Sequence, residues 1–293
     1  MEIAIISGKG GTGKSSISAA FATLKDKVVV ADCDVDAANL YILFNPSLEE
    51  TETFVSGQKA IIDKSKCTNC GYCIDFCRFE AISYVDNNVQ ISESLCDGCK
   101  LCSRICPSEA IIIENEDKSR MYSGGYRNGR MVYGRLAPGE ENSGKLVNLV
   151  RRKAKKEAEN YQLKTIIIDG PPGIGCAVIS TITGVDHVVI VTEPTLSGLH
   201  DLKRTMEITS KFHLKTWIII NKYDLNLKLS EEINLYCYKS GVEVLAELPF
   251  DPQIVEAMVQ CKSIIEWKPE SPVSKKIEYA YNHIIGSKNE DWI

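Results

Sequence analysis

Glu2-Ile3-Ala4-Ile5-Ile6-Ser7-Gly8-Lys9-Gly10-Gly11-Thr12-Gly13-Lys14-Ser15 is the stretch whose reading decides the fold. Glu2–Ser7 is an apolar, β-branched run that predicts a buried strand. A glycine-rich loop follows, and residues from about Ser15 to Leu24 predict a helix. Inside that strand–loop–helix frame, Gly8 to Ser15 fits G-x-x-x-x-G-K-[ST], a phosphate-binding loop. The glycines let backbone N–H groups surround phosphates, and the helix N-terminus adds the positive end of its dipole. Lys14 is then expected to reach the β- and γ-phosphates of ATP, and the Ser15 hydroxyl to bind Mg²⁺. The ATP-binding residues expected here are Gly8, Lys9, Gly10, Gly11, Thr12, Gly13, Lys14, Ser15 and Ser16.

Outward from the loop, Lys27–Ala31 reads as a second strand ending at Asp32. Thr165–Ile168, His187–Val191 and Thr216–Ile220 repeat the apolar, β-branched pattern, and Val242–Ala246 predicts a sixth strand. Helical stretches lie between them, which implies right-handed βαβ units around a parallel sheet buried on both faces. Ser143–Tyr161 predicts a helix with Leu146, Leu149, Val150 and Ala154 on one face. Its Arg151-Arg152-Lys153 and Lys155-Lys156 are expected on a solvated face. Residues 118–137, rich in glycine and basic residues, read as a hinge or switch loop in preference to a nucleic-acid contact.

Residues 59–117 break the strand–helix rhythm. They contain Cys67-x2-Cys70-x2-Cys73-x3-Cys77 and Cys96-x2-Cys99-x2-Cys102-x3-Cys106-Pro107, an internal repeat with a period of roughly thirty residues. Spacing of 2, 2 and 3 is the arrangement that holds a [4Fe–4S] cube. Zinc competes, because four-cysteine zinc sites also use C-x2-C pairs. The third cysteine, the x3 step and the duplication favour iron–sulfur. Eight of the twelve cysteines fall in these runs; Cys33, Cys176, Cys237 and Cys261 are scattered and read as small hydrophobes. The segment is expected to be a small domain inserted in a loop of the larger one, dividing the chain into 1–58 with 118–293, and 59–117.

Hydrophobic content of 44% and charged content of 25% suit a globular protein, and a net charge of −5 gives no general reason to expect nucleic acid. Residues 1–6 run straight into the glycine loop, so no signal peptide is expected, and no apolar run is long enough to cross a bilayer. A cytoplasmic location is expected, with no stable membrane anchor.

Lys-Gly-Gly-x-Gly-Lys-Ser at Lys9–Ser15 resembles the deviant phosphate loop of the MinD/ParA/Mrp class of P-loop ATPases, which includes the nitrogenase iron protein. The resemblance implies an α/β fold: a P-loop NTPase with a mainly parallel sheet flanked by helices, plus a small inserted ferredoxin-like α+β domain. It implies that Lys9 crosses a dimer interface to the other subunit's phosphates. Ala31-Asp32-Cys33-Asp34 resembles the class's second motif and gives Asp34 the part of orienting the attacking water. The catalytic set is thus Lys9, Lys14 and Asp34. Ile168-Asp169-Gly170-Pro171-Pro172-Gly173 resembles the Walker B strand end, so Asp169 joins Ser15 at Mg²⁺ through water. Asn221, in Ile220-Asn221-Lys222, matches the asparagine that reads adenine, and Leu248-Pro249-Phe250-Asp251 resembles the loop flanking the base. Asp36 reads as a helix N-cap. Thr192-Glu193-Pro194-Thr195 and Gly139-Glu140-Glu141-Asn142-Ser143-Gly144-Lys145 resemble signatures of the subgroup carrying an inserted ferredoxin domain. For the second, a γ-phosphate switch and a helix cap at Asn142 or Ser143 are both open.

In two-cluster ferredoxins the fourth cysteine of each run ligates the other run's cube. The resemblance therefore implies Cys67, Cys70, Cys73 and Cys106 for one [4Fe–4S] cluster, and Cys96, Cys99, Cys102 and Cys77 for the second. Pro107 keeps the proline that follows the fourth cysteine, and Arg78 departs from it. ATP, Mg²⁺ and two clusters are the expected cofactors. An ATP-dependent homodimer, or a heterodimer with a paralogue, is expected, with a redox or metal-cofactor protein as partner. ATP-gated electron transfer or redox-linked regulation is preferred to cluster assembly or delivery, and both to a surface-cycling positioning ATPase.

Overall fold

Apolar runs without a polar face have to be covered on both sides, and that requirement sets the architecture. In the computed structural model, which describes residues 1–24, 27–127, 129–140 and 143–287, thirteen strands follow in chain order. They are β1 (Glu2–Ser7), β2 (Val29–Asp32), β3 (Glu50–Phe54), β4 (Gly57–Ile62), β5 (Ile82–Val85), β6 (Asn88–Ile91), β7 (Ile111–Glu116), β8 (Ser119–Tyr126), β9 (Gly129–Arg135), β10 (Ile166–Pro172), β11 (His187–Thr192), β12 (Lys215–Asn221) and β13 (Glu243–Leu248). One nine-stranded sheet has the order β13-β12-β11-β1-β10-β2-β9-β8-β3. From β13 to β9 every neighbouring pair is parallel.

Parallel registers bring the strand ends carrying polar residues to one edge. Ile5 pairs with Asp169, and Asp169 with Asp32, so the loop after β1 and two carboxylates meet. β1 sits between β10 and β11, with Ile3, Ala4, Ile5 and Ile6 wholly buried. Helix Lys14–Ala22 covers one face through Ile17, Ala20 and Phe21, and Phe21 packs on Tyr281 of helix Pro272–Gly286. That last helix buries Val273, Ile277, Ala280 and Ile284 in the core. No helix among the described residues is long and apolar enough to cross a membrane.

Two sequence expectations change. Residues 118–137 are not a linker: β8 and β9 occupy most of them and extend the main sheet, β9 pairing parallel with β2. Alternating buried residues in β8 and the buried Met131, Val132 and Tyr133 of β9 carry the strand signal that the glycines obscured. Helix Ser143–Asn160 forms, but Arg151 is not solvated. Its guanidinium is buried, bonded to Glu2 Oε2 and to the Ser180 and Thr183 carbonyls, each at 2.7 Å. A planar fork of donors can be buried where acceptors surround it, which periodicity alone does not reveal.

The chain divides into two compact units: Met1–Thr51, Met121–Arg135 and Ser143–Ile293 form the first, Glu52–Arg120 and Leu136–Asn142 the second. In the second, β4 pairs antiparallel with β7 and β5 with β6. Cys67 and Cys96 are 29 residues apart, and that shift relates the pairings. Ile62 faces Ile111, and the shifted partners Ile91 and Ile82 face each other in turn. Short helices Tyr72–Asp75 and Leu101–Ile105 begin at shifted positions. Left-handed backbone recurs at Asn69 and Gly98, at Gly71 and Lys100, and at Glu80 and Glu109. Each β pair thus takes one strand from each half of the repeat. Glu140 accepts hydrogen bonds from the Lys118 and Ser119 N–H groups at 2.9 and 3.2 Å. Glu141 and Asn142 lie outside the described residues, so the cap reading at Asn142 does too.

Candidate nucleotide and cluster sites

The loop after β1 is shaped by its glycines. Gly13 has φ +91° and a Cβ there would lie 2.3 Å from Asn221 Nδ2, so glycine is required on both counts. A Cβ at Gly10 or Gly11 would meet nothing within 4 Å, leaving the cradle open on that side. Lys14, the first residue of its helix, is buried and reaches Asp169 Oδ1 at 2.8 Å and Asp34 Oδ2 at 3.9 Å. Burial opposes the Lys14 charge, but Asp169, Asp34 and Asp32 hold its pKa above the ordinary value. Asp169 Oδ2 accepts from Ser15 Oγ at 2.8 Å, and its Oδ1 from Ser18 Oγ at 2.6 Å. The Thr12 hydroxyl is buried and has no partner among the described residues. An open glycine cradle, a cation, a hydroxyl–carboxylate pair and an orphaned donor together fit a magnesium-bound phosphate chain.

The helix cap expected at Asp36 falls instead to Asp32. Helix Leu40–Phe44 has no side-chain cap of its own, whereas Asp32 Oδ2 accepts from the Asn39 and Leu40 N–H groups at 3.2 and 3.1 Å. Asp36 is exposed and makes no cap. Burial, then the charge of Asp169, push the Asp32 carboxyl up to about 7, against the pull of Lys14. Burial likewise raises Asp34, with Lys14 opposing.

Lys9 does not point away from its own subunit. Its Nζ meets Glu193 Oε1 at 2.7 Å, Thr195 Oγ1 at 2.8 Å and Ser197 Oγ at 3.0 Å. Glu193 Oε2 also holds Lys222 Nζ at 3.0 Å, and Lys222 in turn donates to the Gly11 carbonyl. Burial would raise Glu193, but hydrogen bonds from Lys9 and Lys222 hold its carboxyl below the ordinary range. Asn221 donates to the Thr12 carbonyl at 2.8 Å and accepts from Lys222 N–H, bracing the loop. Ser16 is at the surface beside Met258, and Pro249 is half-buried just past β13. Sequence reasoning missed two partners. Ser18 stands one helical turn beyond Lys14, a spacing that flags it; Glu193 stood out only as part of a motif.

The cysteines of the second unit separate into two groups. Cys67, Cys70, Cys73 and Cys106 line one cavity; Cys96, Cys99, Cys102 and Cys77 line another. Each group takes three cysteines from one run and the fourth from the other. Cys77 Sγ accepts from Ala81 N–H, and Cys106 Sγ from Ala110 N–H, both at 3.3 Å. Burial pushes the Cys102 thiol up to about 11 and raises Cys73, while Ser108 and the Ala110 N–H hold Cys106 below the ordinary range despite its burial. Among the described residues no three His, Cys, Asp or Glu side chains converge on the spacing of a single metal ion. Four sulfurs around each cavity, with an amide donor aimed at one of them, fit a cube. Of the scattered cysteines, Cys33 and Cys237 are buried small hydrophobes, whereas Cys176 and Cys261 are exposed.

Comparison with known proteins adds four findings. A profile of the CobQ/CobB/MinD/ParA nucleotide binding domain matches residues 3–264. An uncharacterised protein of Methanocaldococcus jannaschii is 36% identical over 287 residues, covering 97% of this chain and 96% of that protein. An iron-sulfur cluster carrier protein of Rickettsia conorii is 33% identical over 97 residues, only 32% of this chain and 30% of that protein. Among solved structures, the septum site-determining protein MinD complexed with Mg-ADP from Pyrococcus horikoshii aligns over 99% of both chains. Its TM-score is 0.59 and its identity 18%, a likeness of fold.

Proposed function

Because the chain belongs to the CobQ/CobB/MinD/ParA nucleotide-binding family and carries its ATPase domain, we propose that it is an ATP-hydrolysing iron–sulfur protein whose nucleotide state is coupled to two [4Fe–4S] clusters. The coupling serves electron transfer to a partner protein or its redox-linked regulation. The observation that carries this reading is the sorting of eight cysteines into two cavities, each drawing its fourth sulfur from the opposite run. Cross-ligation of that kind marks two-cluster ferredoxins, so the second unit, which contains residues 59–117, is assigned as an inserted ferredoxin domain in the ATPase formed by the first unit.

In this reading the loop N–H groups and Lys14 hold the phosphates, and Ser15 binds Mg²⁺ with Asp169 behind a water. Asp34, 3.9 Å from Lys14, orients the attacking water. Asn221 and Pro249 border the base. Lys9 leaves Glu193 to reach the phosphates of a partner subunit, a second copy or a paralogue, so its ion pair must break before hydrolysis. The clusters, when bound, supply one-electron chemistry. The protein acts in the cytoplasm without nucleic acid or a stable membrane anchor.

The test is stopped-flow reduction of a redox-active acceptor by the reduced protein, with and without Mg-ATP. Faster transfer with Mg-ATP supports the reading, and identical rates refute the coupling. The partial likeness to a cluster carrier favours one alternative, ATP-dependent cluster assembly or delivery. Incubation with a cluster-free acceptor protein distinguishes it: delivery requires iron to leave this chain faster than free iron and sulfide load the acceptor.

A further inference from the structure

The 29-residue repeat makes the two cavities comparable position by position. Ile62, Ala110 and Ile111 of one correspond to Ile91, Ala81 and Ile82 of the other. The amide donors to Cys106 and Cys77 correspond as well, at the same 3.3 Å. Two side-chain contacts to sulfur have no counterpart among the described residues. Cys67 Sγ lies 3.7 Å from Asn69 Oδ1, with Gly98 at the matching position, but an amide oxygen only accepts and gives nothing to an iron-bound sulfur. The other contact carries a hydroxyl. Ser108 Oγ lies 3.5 Å from Cys106 Sγ, while the position matching Ser108 is Phe79, whose ring lies under the Arg78 guanidinium at 4.8 Å. A cysteine bound to iron has no proton to give, so in that pair the hydroxyl must be the donor.

We propose that Ser108 is a positioning residue that makes the two clusters inequivalent: its hydroxyl donates to Cys106 Sγ and raises the reduction potential of the cluster on Cys67, Cys70, Cys73 and Cys106. The inference rests on the iron–sulfur reading above. Reduction adds one electron from an external reductant, with no bond formed or broken. The added negative charge is spread onto the sulfurs, so a donor to sulfur stabilises the reduced form more than the oxidised one. Asp97 and Lys100 beside the second cavity carry opposite charges. The change on substitution, rather than the order of the two potentials, therefore isolates Ser108.

The experiment is an anaerobic redox titration of the full chain with dithionite and mediators, followed by EPR, together with iron analysis. Ser108→Ala is expected to keep its iron and to move one of two midpoints to a more negative value, leaving the other in place. Ser108→Thr, which retains the hydroxyl, is expected to keep the wild-type value, and Phe79→Ser to raise the other midpoint. Ser108→Ala shifting neither midpoint, shifting both equally, or losing iron would overturn the assignment. Wild-type protein isolated anaerobically without iron would instead overturn the reading on which it rests.

Discussion

Replacing Lys14 by Met keeps the volume of the aliphatic stem and removes only the charge. Lys14 Nζ lies 2.8 Å from Asp169, with the two side chains 7% and 0% exposed, and Asp32 and Asp34 are close enough to share its field. Stripping one partner from a buried pair costs about 3–5 kcal/mol. Ser15 and Ser18 still donate to Asp169 after the change, which places the loss near the lower end, about 3 kcal/mol. The loss also depends on pH. With the cation gone, three neighbouring carboxyls repel one another, and Asp32, already raised to about 7, rises further. Protonation relieves that repulsion, so the penalty shrinks as pH falls from 8 to 5. Denaturant unfolding followed by fluorescence of Trp217, in β12, and Trp267 reports on this unit. A loss below about 1 kcal/mol at pH 8, or one that does not change with pH, would refute the reasoning, because it would place the pair in the solvent-screened class.

Lys9→Ala is expected to keep most nucleotide binding and to lower kcat by about 10³-fold, the lower range for a cation supplied across a subunit boundary; normal hydrolysis would remove Lys9 from the catalytic set. Glu193→Gln frees Lys9 from its 2.7 Å ion pair, so ATP-dependent dimerisation, read by light scattering, is expected at lower protein concentration than for wild type. Cys106→Ser is expected to remove the same EPR signal as Cys67→Ser, and Cys77→Ser the one lost with Cys96→Ser, with ATP binding retained in all four; loss by run instead of by cavity contradicts the cross-ligation. Asp32 contributes stability in full below the ordinary carboxylate range and loses it as pH rises through about 7, because its folded value is the higher. The difference in unfolding free energy, Asp32→Asn minus wild type, is therefore expected to grow from pH 4 to pH 8.

How much of this was legible in the sequence depended on whether the signal was local. The glycine loop declares itself because strand, loop and helix are contiguous, and the apolar runs of β1, β10, β11 and β12 need no partner to be recognised. β8 was obscured because its glycines read as hinge signals, while its burial comes from pairing within a sheet assembled from distant segments. Asp36 stands at the head of an apolar stretch and reads as the cap, whereas nothing local to Asp32, at the end of a strand, announces one. Only the turn after β2 decides that Asp32 meets the Leu40 amide. The Lys9–Glu193–Lys222 arrangement joins three strand ends that parallel registers align, and no local spacing announces it. In the cysteine segment, by contrast, the repeat itself encodes the pairing, since a two-fold exchange of strands brings each fourth cysteine to the opposite run.

The coupling between nucleotide and clusters is tested most directly by one measurement: EPR-monitored anaerobic redox titration of the wild-type chain, with and without Mg-ATP. Two one-electron [4Fe–4S] transitions are predicted, at least one of which moves in midpoint or line shape when the nucleotide binds. Two transitions unaffected by saturating Mg-ATP would contradict the account.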